Sequence, residues 1–270
     1  MTEVRTDSVI ESGRQLPEED QDMTFFEHLT ELRTRLIRCV IGLVPAIAIA
    51  WYYKTEVKDF LIAPLQPACT RLGLSPDKCI LHVGHPADAF MLYMVNSLVA
   101  GVLIASPWLF WQLWAFISPG LYRKEKLLAV PFIIASTLCF VGGALFGYLY
   151  VFPEAFTVLL GFTDETLVPT LFAKEYMPFF RRMLLAFGVV FEVPVVVTFL
   201  AGAGMVTWRQ LLKFSRWWIV CAAFLSMILT PQDVYTMIMM LIPLVVLYFV
   251  GVAAAYLISL FQSKKRAEAP

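Results

Sequence analysis

Six long apolar blocks, each almost free of charge, dictate what this chain can fold into. They cover roughly residues 36–53, 89–114, 127–152, 183–208, 217–230 and 235–261. A helix needs about 20 apolar residues to cross a hydrocarbon core of ~30 Å. Inside lipid every backbone N–H and C=O must be bonded within the protein, which a helix does by itself. The pattern therefore predicts an all-α integral membrane protein with six transmembrane helices in residues 23–262. A chain that is 59% hydrophobic and 16% charged is too apolar for a soluble domain of 270 residues. The fifth block, at fourteen residues, reads as a short helix of ~21 Å. The segment Thr230-Pro231-Gln232-Asp233 then predicts a tight hairpin into the sixth. The alternative, one long kinked helix over 217–261, remains open at this point.

Charge is placed, not abundant. The formal net charge is zero, which gives no argument for nucleic acid. With six spans both termini share a face. That face collects fourteen of the twenty-one Lys and Arg residues: Arg5, Arg14, Arg33, Arg35, Arg38, Arg123, Lys124, Lys126, Arg209, Lys213, Arg216, Lys264, Lys265 and Arg266. The positive-inside rule assigns it to the cytoplasm. Residues 1–22 are polar and acid-rich and read as a disordered cytoplasmic tail, and 263–270 as a basic one. The expected location is a plasma (inner) membrane. Arg181 and Arg182 break the charge rule, and the sequence offers no reason for them.

Before the first block comes TFFEHLTELRTRLIR at 24–38. Thr24 and Glu27 have capping-box spacing. Phe25, Phe26, Leu29, Leu32 and Leu36 recur at helical spacing, with Glu27, Glu31, Arg35 and Arg38 on the other side. Ionisable groups are thereby fixed at a membrane surface, where a ligand can reach them. Glu31 has an ordinary partner in Arg35 at i+4. Glu125, in SPGLYRKEK after the second block, has none at helical spacing. Two carboxylates on one face can each take a guanidinium in bidentate fashion, a geometry lysine cannot reproduce.

Other chemistry is sparse. HExxH, GxSxG, P-loop and GxGxxG patterns are missing, so the sequence gives no reason to expect an enzyme, a cofactor or a metal. His28, His82 and His85 lie outside the blocks and read as loop histidines. Cys39, Cys139 and Cys221 read as small apolar fillers. Cys69 and Cys79, ten positions apart in the first external loop, are candidates for a disulfide. Glu192 in FGVVFEVP is the only acid deep in a block, two residues before Pro194. Three roles fit it: a proton relay, a polar foothold in a hydrated concavity, or a cap for backbone groups freed by the proline. Asp233 reads first as the N-cap of the sixth helix. Asn96 and Ser106-Pro107 mark a bend in the second.

Five separated segments carry a resemblance: EHLTELRTRL at 27–36, IAPL at 62–65, SPWLFWQLWAFISPGLYRKEK at 106–126, FGVVFEVP at 187–194 and TPQD at 230–233. Their order and spacing resemble the TatC family, the polytopic subunit of the twin-arginine protein translocase. The resemblance implies a non-catalytic receptor with six helices in a concave arrangement. It binds the twin-arginine signal peptides of folded cargo, in an oligomeric complex driven by the proton motive force. Glu31 and Glu125 would bind the arginines, with Phe116, Pro119 and Gly120 shaping the platform. Pro64 matches the external-loop motif and Glu192 the family's intramembrane acid. Thr230 and Asp233 fall where single-span subunits of the TatA and TatB type would dock. Gln232, Met237 and Phe249 depart from the family's pattern there. The rival expectation, from another class, is a proton-coupled small-molecule transporter using Glu192 and Asp233.

Overall fold

Apolar helical sequence interrupted by proline and by charged turns resolves into ten α-helices in the computed structural model, which describes residues 25–73, 80–117, 129–162, 170–230 and 233–267. They are α1 (Phe25–Tyr52), α2 (Lys54–Ile62), α3 (Leu65–Arg71), α4 (Pro86–Ile117), α5 (Ala129–Phe146), α6 (Phe152–Gly161), α7 (Ala173–Phe191), α8 (Val193–Gly202), α9 (Trp208–Leu229) and α10 (Val234–Ala267). Six lengths are long and apolar enough to cross a membrane: Phe26–Tyr52, Pro86–Ile117, Val130–Gly161, Ala173–Gly202, Trp208–Leu229 and Val234–Leu260. The third span is α5 and α6 joined by a π-helical turn at Gly147–Val151, and the fourth is α7 and α8.

The spans run past the charges that bounded the apolar blocks. The fourth begins at Ala173, so Arg181 and Arg182 lie within α7 rather than ahead of it. The fifth extends back to Trp208. It is the shortest of the six, yet its 22 residues, about 33 Å of helix, are enough to cross the core. Its start is a capping box: Gln210 N donates to Thr207 Oγ1, and Gln210 Oε1 accepts from Thr207 N at 2.8 Å. Arg209, Lys213 and Arg216 ride on this amphipathic first stretch, which is why a charge-bounded reading stops short. Trp218 Nε1 donates to Leu244 O at 3.3 Å and its ring stacks on Tyr248, 5.0 Å away. Helices α9 and α10 thus lie side by side as a hairpin, which excludes the single kinked helix. Asp233 Oδ1 accepts from Thr236 N at 2.7 Å, the bond of an N-cap.

The helices pack in an open row. Helix α1 lies along α4, α4 on α5 and α7, α5 on α7, α8 on α10, and α10 on α9. The α1–α4 contact is made by small residues. Ala46 and Ala50 are buried, and a Cβ on Gly42 would fall inside the Trp108 indole. A Cβ on Gly101 would sit 2.6 Å from Ile47 Cγ1 and 3.0 Å from Ile47 Cα. Trp108 Nε1 donates to Arg38 O at 2.9 Å across the same seam. In lipid there is no hydrophobic drive to pair helices, so close approach through small residues does that work. The apolar stripe of Phe26, Leu29, Leu32 and Leu36 is exposed on the protein surface, as a lipid-facing anchor requires.

At the face opposite the termini, α2 and α3 cap the row. Pro64, buried, stands between them at the start of α3, where its missing N–H costs nothing. Tyr148 Oη donates to Phe60 O at 2.7 Å, and Arg71 pairs with Glu154. Beneath lies an aromatic cluster in which Phe152 meets Phe180 edge-on at 4.2 Å. A parallel backbone bridge joins the two loops of this face: His82 N donates to Leu171 O (2.8 Å) and Ala173 N to His82 O (2.9 Å). Cys69 is buried and disulfide-bonded, whereas Cys39, Cys139 and Cys221 are free. Cys79 lies outside the described residues.

Candidate functional site

The start of α1 and the end of α4 meet at the terminal face. Register along the small-residue seam sets the meeting, because Glu31 and Arg35 continue the α1 face that carries Ala46 and Ala50 further down. Arg35 Nη2 donates to Glu31 Oε1 at 3.2 Å, and Arg35 Nη1 donates to Gln112 Oε1 at 3.4 Å. Both members of the ion pair are partly buried, and Gln112 is fully buried. Arg35 therefore ties Glu31 to the second span. The other carboxylate oxygen, Glu31 Oε2, is buried and has no hydrogen-bond partner among the described residues. Such an acceptor costs about 1–3 kcal/mol while it stays unmatched. One turn earlier, the His28 ring stacks on Phe116, with centroids 4.5 Å apart and planes 23° from parallel. Glu31 and Phe116 are thus brought to one place. Pro119, Gly120 and Glu125 fall outside the described residues, as does Thr24.

A second polar feature lies deeper. Pro194 cannot donate to the helix and ends α7 at Phe191, with α8 restarting at Val193. Glu192 sits in that break. Its side chain makes no cap to the backbone; instead it shares a hydrogen bond with the Ser136 hydroxyl of the third span. Ser136 also accepts from Trp114 Nε1 at 3.1 Å. Trp114 and Ser136 are both buried, so a polar thread crosses the second, third and fourth spans. Glu192 Oε1 has no hydrogen-bond partner among the described residues. The reading of Glu192 as a cap for the proline break is therefore set aside. Asp233 has both oxygens on Thr236, Oδ1 on its N–H and Oδ2 on its hydroxyl, which leaves the transporter reading without its second acid. Thr230 is buried, its hydroxyl donating to Ser226 O at 2.8 Å.

Several contributors were missed from sequence. Gln112 and Ser136 look like incidental polar residues in apolar blocks, yet each holds a candidate acid. Their signal was available, since a polar side chain at membrane depth needs a partner. Asn96, read as marking a bend, is fully buried and accepts from Arg181 Nη1 at 2.7 Å. That bond accounts for one of the two arginines that broke the charge rule. The other, Arg182, donates to Pro178 O of its own helix at 3.2 Å.

The sequence profile of the family described as Sec-independent protein translocase protein (TatC) matches residues 27–243. A relative of that description from Desulforapulum autotrophicum is 41% identical over 237 residues, 88% of this chain and 86% of its own. One from Aquifex aeolicus is 37% identical over 232 residues, 85% of this chain and 93% of its own. A solved structure described as the twin arginine translocase receptor TatC superposes with a TM-score of 0.76 at 36% identity. It covers 86% of this chain and 100% of that one.

Proposed function

The chain belongs to the TatC family of Sec-independent protein translocase proteins, and from that premise we propose that Glu31 and Glu125 hold the two arginines of a twin-arginine signal peptide. As a component of this translocase it is a multi-pass membrane receptor, and its task is binding rather than catalysis. The observation that carries the proposal is the second oxygen of Glu31. Arg35 and Gln112 fix the carboxylate in place and leave Oε2 without a donor among the described residues. An incoming guanidinium supplies two parallel N–H groups, one for that oxygen and one to share with Arg35 at the other. Phe116, stacked on His28, supports the platform, and Pro119 and Gly120 shape its loop. The test is a pull-down on immobilised peptides. A twin-arginine peptide should retain the purified protein and a twin-lysine peptide should not; equal retention would refute the clamp.

The terminal face, with most of the basic residues, is the cytoplasmic side of the inner membrane in this reading. Single-span subunits of the TatA and TatB type dock along α9 towards Thr230 and Asp233, and the receptor works as an oligomer under the proton motive force. The support is the outward face of α9, where Val220, Phe224, Met227 and Ile228 are exposed and apolar. Photocrosslinkers at positions 220, 224 and 228 are expected to trap a single-span protein in membranes; adducts with lipid alone would remove α9 as the dock. Cys69 takes Cys79 as its disulfide partner. Reduction should then shift gel mobility of the wild type and leave Cys69→Ser unchanged.

A further inference from the structure

Arg181, half-buried and bonded to the fully buried Asn96, lines a cavity of about 220 Å³ between the second and fourth spans, at the face opposite the termini. Asp88, Met91, Val95, Lys174 and Met177 are among the other lining residues. Arg181 lies eight residues into α7, about 12 Å along the helix from its start. A guanidinium at such depth carries five donors. Asn96 Oδ1 takes one of them, and among the described residues no carboxylate lies within ion-pair reach of Arg181. Lys174, largely exposed at the rim, stands 4.0 Å from Asp88 Oδ1, at the outer limit of an ion pair. Such exposed pairs hold weakly, so the ammonium can leave Asp88 and swing inward at small cost.

We propose that this cavity binds the phosphate of a phospholipid from the leaflet opposite the termini, with Arg181 and Lys174 on the phosphate and Met91 and Val95 against the glycerol body. Three observations favour this occupant. Two cations against Asp88 leave a net charge of about one, which matches a phosphodiester monoanion better than free phosphate, whose charge is nearer two at neutral pH. The cavity is smaller than the ~300–1,000 Å³ of ordinary small-molecule pockets, so it suits a headgroup whose tails remain in the bilayer. Asp88 and Lys174 stand at its rim and Arg181 deeper, with Met91 and Val95 also in the lining, so apolar surface is offered to the part of the ligand that carries carbon. Drawing a phosphate down to Arg181 thins that leaflet locally, a known accommodation of buried arginine.

Native mass spectrometry of the purified protein, with dioleoylphosphatidylglycerol, diacylglycerol or inorganic phosphate added, tests this. The wild type should retain the phospholipid and release diacylglycerol. Arg181→Gln, which keeps a donor for Asn96 but removes the charge, should lower retention at least fivefold. Val95→Trp fills the cavity and leaves every charge in place, so it should do the same even if Arg181→Gln folds poorly; circular dichroism monitors both. Asp88→Asn should raise retention by freeing Lys174. Unchanged retention in Val95→Trp, or equal retention of diacylglycerol, would overturn the proposal. Displacement of the lipid by millimolar inorganic phosphate would reassign the cavity to free anions. A photocrosslinker at Val95 that captures a protein rather than lipid would reassign it to a partner helix.

Discussion

Glu31→Lys is expected to abolish capture of a twin-arginine peptide, and Glu31→Gln to weaken it by roughly 10- to 100-fold. A hydrogen bond to a charged group contributes about 1.5–3 kcal/mol, and each 1.4 kcal/mol is a factor of ten in affinity. Glutamine keeps the shape and one acceptor but loses the charge. Lysine goes further, because it sets a second cation where Arg35 now makes a 3.2 Å ion pair. Arg35 itself decides between two accounts of the site. If it masked Glu31, Arg35→Gln would tighten peptide binding. The bridge from Glu31 through Arg35 to Gln112 says otherwise, since it leaves Oε2 unmatched among the described residues while holding the side chain in place. Arg35→Gln should therefore weaken binding about tenfold, and Gln112→Ala should weaken it less. Fluorescence anisotropy with a labelled peptide measures all four variants. Tighter binding by Arg35→Gln would remove the positioning role.

The second large effect lies in the seam between α1 and α4. Gly101→Leu places a Cβ 3.0 Å from the backbone of Ile47, where no rotamer change can relieve the clash. Overpacking of this kind costs about 1–3 kcal/mol. For a chain of this size that lowers the thermal midpoint by roughly 2–6 °C. Because α1 is held chiefly by α4, the shift also parts Glu31 from Gln112, so peptide binding should fall with stability. Gly142→Leu is the control: nothing lies within 4 Å of a Cβ there, and both properties should stay near wild type. Equal effects at the two glycines would mean that the seam does not hold the site together.

Much of the architecture was legible because membranes enforce simple rules. Length and apolarity alone identify six spans, and the TPQD turn identifies the final hairpin. Where the reading stopped short, charge was the reason. Arg181, Arg182, Arg209 and Arg216 each look like an edge, yet a helix can carry cations inward on a face that has a partner or reaches the interface. The Thr207–Gln210 capping box was the better boundary signal for the fifth span. The candidate site was half legible. Glu31 stands out through its placement on an amphipathic turn next to a span. The roles of Gln112, Ser136 and Asn96 depend on which helices become neighbours, and helical periodicity in one segment carries no information about the segment across from it. The Leu29–Leu32–Leu36 stripe illustrates the same limit. In water it would point to the protein core; in lipid it faces outward, and glycines and alanines take the inner face.

The two hydrogen bonds that fasten the joint between His82 and Phe172 run between main-chain atoms, and this gives it an unusual evolutionary freedom. Its donors are the N–H groups of His82 and Ala173, and its acceptors are the carbonyls of Leu171 and His82. No side chain is required, so either loop can drift through almost any residue while the fastening persists. Only proline at position 82 or 173 would remove a donor outright. Two loops held this way can diverge beyond recognition and still close the same end of the molecule.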